Sequence, residues 1–489
     1  MNSSIGKNSD KNRLIIPNFK IEQSQKIDIT ANAGTFLLAE LTKRLDIIDS
    51  LAKLNIFKRQ RIGEAVHIYS FVLNHFTGGD AITDTKNIKK DEAFRTIFGD
   101  IHIPAPHTSG DFLERFTKET TDKLREILQK MQQKSLKKLS KRLQGKIIIS
   151  LDSSIYEVYG NCKENSSQSF KNIFGFHPLF LHIQNTGELL DIVFRGGAEF
   201  TATGAKTILE QNILRLKPYF NEIILLADSG FFDKKIIQLC EQDDINIKFI
   251  ITSEINNPIR GKLTSTDRAW REPLRIQNDA KIPVRQRKSN TINCRLQSLK
   301  AALKKRGKAL KIRGNLEVTE FQHTVPAWGN EYRFVFKRQR IKEQNLTDQA
   351  EFFENTQEYF YHGYVTNIHQ DDETLESIIR LIDSRGHQEN FIKDFKRGLG
   401  TLHIPTKHFY GNYAYFLISM LSWNLKCWLM DVIEPNLHVR WKRFRYLFIK
   451  VGAQIIKTSK YVVIRFGKGF DRVDDFKIWF SRLQASNFA

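Results

Sequence analysis

The stretch 221-NEIILLADSGFFDKK-235 decides how the chain is read. Ile223, Ile224, Leu225 and Leu226 form an apolar run that predicts a buried strand. The run stops at Asp228, Ser229 and Gly230, and a helix is expected near Asp233 to Glu241. A core strand therefore ends by presenting a carboxylate. The stretch 146-KIIISLDSS-154 does the same: an apolar strand that finishes at Asp152. Two strands of one sheet, each closing in Asp-Ser, would bring two carboxylates to one sheet edge. Like charges about 4 Å apart repel, so such a pair needs a cation between them. Mg²⁺ suits hard oxygen ligands with open positions, and Mn²⁺ is its natural substitute. Two such ions can activate water or a 3′-hydroxyl and steady the leaving oxygen of a phosphodiester. An Asp before Ser or Gly is also an ordinary turn or helix N-cap, and that reading stands beside the first for either residue alone.

Around these strands the periodicity outlines an α/β protein. Residues 1–20 are polar. From 21 to 145 the pattern is helical, in "TFLLAELTKRLDIIDSLAKL", "AVHIYSFVLNHF" and the basic "DFLERFTKETTDKLREILQKMQQKSLKKLSKRL", broken by Gly78, Gly79 and Pro104. Between 146 and 252 strands and helices mix: a hairpin in "PLFLHIQNTGELLDIVFRGG", a helix near Ala205 to Leu216, and a strand in "IKFIIT". From 253 to 355 that rhythm is lost. Residues 281–313 hold twelve Lys or Arg and no Asp or Glu, and "GNLEVTEFQHTV" and "EYRFVFKRQRI" look like strands. A basic, partly β insertion is expected there. The α/β pattern resumes over 356–435, with the strand "EYFYHGYVTNI", one helix from about Asp372 to Lys396, and a long apolar helix near Tyr410 to Met430. Residues 436–489 form a basic tail containing the strand "YVVIRF".

The helix in 381-LIDSRGHQENFIKDFKRG-398 supplies a third acid. Glu389 lies four residues after Arg385 and seven before Lys396, which at 3.6 residues per turn sets all three on one face. An acid between two cations can ligate metal while the cations hold phosphate. A solvated face laced with i, i+4 ion pairs shows the same spacing.

The composition agrees with a polyanionic partner. The 489 residues carry 76 Lys plus Arg against 54 Asp plus Glu, a net +22; such an excess points to nucleic acid. The cations of 281–313, Lys304, Lys305 and Arg306 among them, and those of 440–468 would provide salt-dependent affinity for a DNA backbone. Cys162, Cys240, Cys294 and Cys427 are far apart and make no Cys-x-x-Cys pair, which disfavours zinc ribbons and disulfide frameworks and suits a reducing cytoplasm. The N-terminus lacks an apolar signal core. The run Ala414 to Leu421, interrupted by Asn424 and Lys426, reads as a buried helix rather than a membrane span.

At this point the residues resemble a known family, the DDE transposases of bacterial insertion sequences. The narrower likeness is to the group 1 type, whose third motif is Tyr-x2-Arg-x3-Glu-x6-Lys. "FTGGDAITDTKNIKKDEAFRTIFG" with "PAPHTSGDFLERF" is similar to the N-terminal signature of that group. "LDSS" and "LADSGFF" resemble its first and second Asp motifs, and "RGHQENFIKDFK" its third. "VRWKRFRYLFIKVGAQIIKTSKYVVIRF" fits its basic ending.

The resemblance implies an RNase H-like catalytic core, with a helical N-terminal domain for DNA end binding or dimerisation and the basic insertion before the last catalytic helix. It makes Asp152, Asp228 and Glu389 the catalytic metal ligands, and Arg385 and Lys396 contacts to DNA phosphates near the element end. Trp328, in "VPAWGNEYRF" of the insertion, becomes a candidate for stacking on an unpaired base, although a Trp between Pro326 and Gly329 also suits a packed anchor. The implied reaction is Mg²⁺-dependent cleavage at the element ends followed by attack of the freed 3′-hydroxyl on target DNA. Its partners are double-stranded DNA (terminal inverted repeats and target) and a second copy in a homodimeric synaptic complex, in a bacterial, nucleoid-associated setting and without a membrane.

One departure is visible: the family tyrosine three residues before Arg385 is Ile382, so its hydroxyl is absent or replaced by Ser384 or a neighbour. The alternatives are a nuclease on the same fold that cuts without joining, and a DNA-binding protein with a decayed site, which the presence of all three acids opposes. A phosphatase using Asp152 as nucleophile lacks its second acid, since position 154 is Ser154. Ser153 and Ser229 have no nearby His and no Gly-x-Ser-x-Gly elbow.

Overall fold

The computed structural model describes residues 27–57, 61–274, 308–325, 328–345 and 359–486, with the backbone alone for 308–314, 341–345 and 386–390. Its centre is an eight-stranded sheet. In chain order the strands are β1 (Lys146–Ser153), β2 (Leu179–Ile183), β3 (Leu189–Val193), β4 (Glu222–Ala227), β5 (Lys248–Thr252), β6 (Lys308–Thr324), β7 (Glu331–Asn345) and β8 (Tyr359–Thr366). Five helices place and support the site: α1 (Lys118–Arg142), α2 (Ala205–Leu216), α3 (Leu375–Ser384), α4 (Gly386–Gly398) and α5 (Phe409–Ile433).

Across the sheet the order is β6-β7-β8-β5-β4-β1-β2-β3. The three central strands β1, β4 and β5 run parallel, and their neighbours on either side are antiparallel. Parallel strands are usually covered on both faces, which is why these read as continuous apolar runs rather than alternating ones. Ile147, Ile149, Leu151, Ile223, Leu225 and Ala227 pack with α2 and the helix Lys234–Glu241. Ile148, Ile224, Leu226 and Ile250, one residue out of phase, pack under α3 through Ile378, Leu381 and Ile382.

The two strands of the 253–355 segment, β6 and β7, are long partners that continue this sheet through β8. The expected helix from Asp372 to Lys396 is in fact two, α3 and α4, meeting at Arg385. Gly386 opens α4; α3 covers the sheet, while α4 packs against α5 through Phe391, Phe395 and Trp423.

A second core gathers the helices before residue 142, α5 and the C-terminal segment. In the most apolar 18-residue stretch of α5, 83% of the residues are buried, so it is the spine of this core. Amphipathic α1 bridges the two cores, giving Leu124, Leu128 and Met131 to one and Leu136 and Leu139 to the other.

Candidate active site

Register brings the two aspartates together. In the β1–β4 ladder Leu151 pairs with Ala227. The next residues, Asp152 and Asp228, therefore leave adjacent parallel strands side by side. Strand side chains alternate, so both belong with Ile148, Ile224 and Leu226 on the face that α3 covers.

Local hydrogen bonds orient each carboxylate in the same way. Asp152 Oδ1 accepts the Ser153 backbone N–H at 2.8 Å. Asp228 Oδ1 accepts the Gly230 N–H at 2.9 Å as N-cap of a short 3₁₀ turn. Asp228 is thus an N-cap through one oxygen, while its other oxygen faces Arg385. Gly230 is required by space: a Cβ there would lie 2.6 Å from Thr201 Cγ2 and 3.1 Å from Asp228 Oδ1.

The remaining oxygens converge on a single cation. Asp152 Oδ2 lies 3.4 Å and Asp228 Oδ2 3.5 Å from the same nitrogen, Nη2 of Arg385. Both distances exceed a good charge-assisted hydrogen bond. Arg385 Nε is buried and has no acceptor among the described residues. The guanidinium balances two like charges without being locked by either, at the point where a shared divalent ion would sit. Two hard carboxylates with oxygens turned to one centre fit Mg²⁺ or Mn²⁺. Glu389 follows Arg385 by one helical turn on α4, but its side chain lies outside the described residues. Among those residues no group of three metal-ligating side chains forms.

Lys396 also reaches this edge. Its ammonium donates to the Ile155 carbonyl and lies 4.4 Å from the centre of the Tyr156 ring. Burial, with Lys171 nearby, lowers its pKa to about 8, against the pull of Asp152. Ile382 is 3% exposed in the core under α3, and Ser384 donates its hydroxyl to the Leu381 carbonyl at 2.6 Å. The hydroxyl of the family tyrosine is therefore not supplied by Ser384.

Trp328 packs 4.7 Å from Phe232, just beyond the Asp228 turn, and 5.5 Å from Tyr332. It is half-buried. Lys304, Lys305 and Arg306 lie outside the described residues.

Several supporting residues carried no sequence signal. His177 hydrogen-bonds Ser153 Oγ through Nε2 at 2.9 Å, beside Asp152, so the expectation that Ser153 has no His near it is corrected by a partner 24 residues away; burial lowers the His177 pKa. Gln184 donates to the Ser384 carbonyl at the α3–α4 junction. Lys337 of β7 donates to Asp383 at 2.6 Å, both side chains buried. Partners this far apart in sequence leave no local spacing to detect.

No curated protein matches the sequence. Among solved structures the chain is similar to the piggyBac transposase of a cryo-EM synaptic complex with hairpin DNA, at 11% identity and a TM-score of 0.39, over 85% of this chain and 78% of that one. The family described as transposase DDE domain, group 1, matches residues 22–488. With nearly its whole length matched, the chain belongs to the DDE transposases.

Proposed function

We propose that the protein cuts DNA at the ends of an insertion sequence and joins the freed 3′-hydroxyl to target DNA, with Asp152, Asp228 and Glu389 as its carboxylates. The observation that carries this reading is the convergence of Asp152 and Asp228 on one nitrogen of Arg385, a helical turn ahead of Glu389. The strand order, with an antiparallel hairpin on one flank of the parallel pair β1 and β4, supports an RNase H-like core.

DDE transposases use divalent ions. Such an ion, Mg²⁺ in our reading, would lower the pKa of a bound water or hydroxyl and neutralise charge on the scissile phosphate. The chain's own residues do the positioning. The Ser153 and Gly230 amides hold the two aspartates with one oxygen each aimed inward. Arg385, its Nε without an acceptor, turns its guanidinium to a DNA phosphate once the carboxylates have another counter-ion; the planar fork suits phosphate. Lys396 adds a second positive charge on the side of Asp152. Trp328, held by Phe232 and Tyr332, offers its remaining face to an unpaired base at the element end. The residues 281–313 and the basic tail contribute backbone affinity, and a homodimer brings two ends together.

The test is incubation with duplexes carrying the element's terminal repeats and Mg²⁺, resolved on a denaturing gel. Asp152→Asn, Asp228→Asn and Glu389→Gln should each reduce cleavage by at least about 10³-fold, the scale of losing a group that acts only in the transition state, while DNA binding persists. Near-normal cutting by any one variant removes that residue from the site. Cleavage without joined products would make the protein a nuclease.

A further inference from the structure

The residue after Asp152 is held by a contact that the proposed chemistry does not use. Ser153 ends β1 opposite Leu179 of β2, and its hydroxyl meets His177 Nε2 at 2.9 Å. The other ring nitrogen, Nδ1, lies 2.9 Å from the Glu199 carbonyl. A carbonyl oxygen only accepts, so Nδ1 carries a proton. His177 is 2% exposed, and burial lowers its pKa, against the Glu199 carbonyl and with the charges of Arg195, Lys171 and Lys396. The ring is therefore neutral at pH 7, and Nε2 is a bare acceptor to which the Ser153 hydroxyl donates.

The surroundings of the ring hold it in that state. The His177 backbone N–H donates to the Arg195 carbonyl at 3.0 Å, and the His177 carbonyl accepts Arg195 Nε at 2.8 Å. Arg195, itself buried, also donates through Nη1 to the Phe200, Thr201 and Thr203 carbonyls. It thus clasps the loop that presents the Glu199 carbonyl. The same loop serves the second aspartate: Thr201 Cγ2 fills the space beside Gly230, whose amide holds Asp228 Oδ1.

We propose that His177 is a positioning residue for Asp152: its Nε2 accepts the Ser153 hydroxyl and so fixes the Ser153 amide that holds Asp152 Oδ1. The role rests on Asp152 acting as one of the carboxylates of the site. A path from Arg195 through the Glu199 carbonyl, His177 and Ser153 ends at one oxygen of Asp152 and leaves the other turned inward. The β1–β2 ladder stops at Ser153, so the side-chain bond to His177 holds the strand end where ladder pairing no longer does. Carboxylates that hold metal are oriented by such partners, and loss of one costs about 10–100-fold in metal affinity or activity.

Two measurements on the full chain test this. In EDTA and without DNA, protein labelled with ¹⁵N-histidine should show His177 at pH 7 with its proton on Nδ1, the signal being assigned by its loss in His177→Gln. A proton on Nε2 would make the ring a donor to Ser153 and overturn the proposal, whatever the cleavage assays show. With duplexes carrying the terminal repeats and Mn²⁺, His177→Phe and Ser153→Ala should each lower cleavage about 10–100-fold. Each should also raise the Mn²⁺ concentration for half-maximal cutting severalfold, which a smaller folded fraction would not do. Thermal melting of each variant checks the fold. The losses should not add: His177→Phe/Ser153→Ala should cut about as fast as the slower single variant, because both changes remove one hydrogen bond. His177→Gln, whose side-chain carbonyl can accept from Ser153, should recover part of the rate. Additive losses overturn the proposal, and so do single variants that cut at the wild-type rate with an unchanged Mn²⁺ requirement. A wild type that cuts no end duplex overturns it by a different route, through the role of Asp152 itself.

Discussion

Lys396 shows how a single side chain in the site sets a measurable pH dependence. Burial lowers its pKa to about 8 in the folded chain, against about 10.4 when exposed. Between those values the unfolded chain holds a proton that the folded one has lost, so stability rises as pH increases through the window. Urea titrations in EDTA should show this rise for the wild type and a flatter profile for Lys396→Met; equal profiles would mean that the lysine is not buried in solution. Arg385 gives a second case. It is a counter-ion of Asp152 and Asp228, so Arg385→Gln leaves two carboxylates facing each other. The variant should melt lower than wild type in EDTA and gain more from added Mg²⁺ or Mn²⁺. A metal-induced shift equal to that of the wild type would show that Arg385 and the ion do not compete for one position.

At the scale of elements, the β6–β7 hairpin is tied to α3 by a buried ion pair. Lys337 is 1% exposed and Asp383 is 7% exposed, two residues ahead of Arg385. Removing one partner of such a pair costs about 3–5 kcal/mol, because the other charge is left buried. Lys337→Met should therefore destabilise strongly, and Lys337→Met/Asp383→Leu should recover much of the loss in thermal melts. Cleavage by the double variant then reports whether the tether also positions Arg385. This pair was not legible in the sequence, since nothing local joins residues 337 and 383. The meeting of Asp152 and Asp228 at one sheet edge was legible, because the apolar runs before them have matching length and phase. The one helix expected over 372–396 became two because periodicity does not register a turn at Arg385-Gly386, where apolar residues continue on both sides. The strands β6 and β7 were visible as strands, but their membership of the central sheet depends on pairing with β8, which no spacing encodes.

Across the whole molecule, the second core joins parts of the chain that the sequence presents as separate blocks. Trp441, fully buried, stacks on Trp423 of α5 at 6.0 Å and meets Phe76 of the N-terminal helices at 5.3 Å. Its indole N–H donates to the His75 carbonyl at 3.3 Å, and its backbone N–H to Asp394 of α4 at 2.7 Å. Gly398 of α4 stays a glycine for this packing, because a Cβ would fall 2.6 Å from that of Trp441. One residue of the basic tail thus clamps the N-terminal helices, the core helix and the helix that carries Glu389. Truncating a buried Trp to Ala costs about 3–5 kcal/mol. If the blocks folded independently, Trp441→Ala would lower one calorimetric transition and leave the rest in place. With a shared core the melting of the N-terminal helices, α5 and the tail should shift together. Hydrogen exchange should then rise in Glu64–Thr77 and α4 as well as in the tail, and loss of protection confined to residues after 436 would show that the tail is an independent appendage.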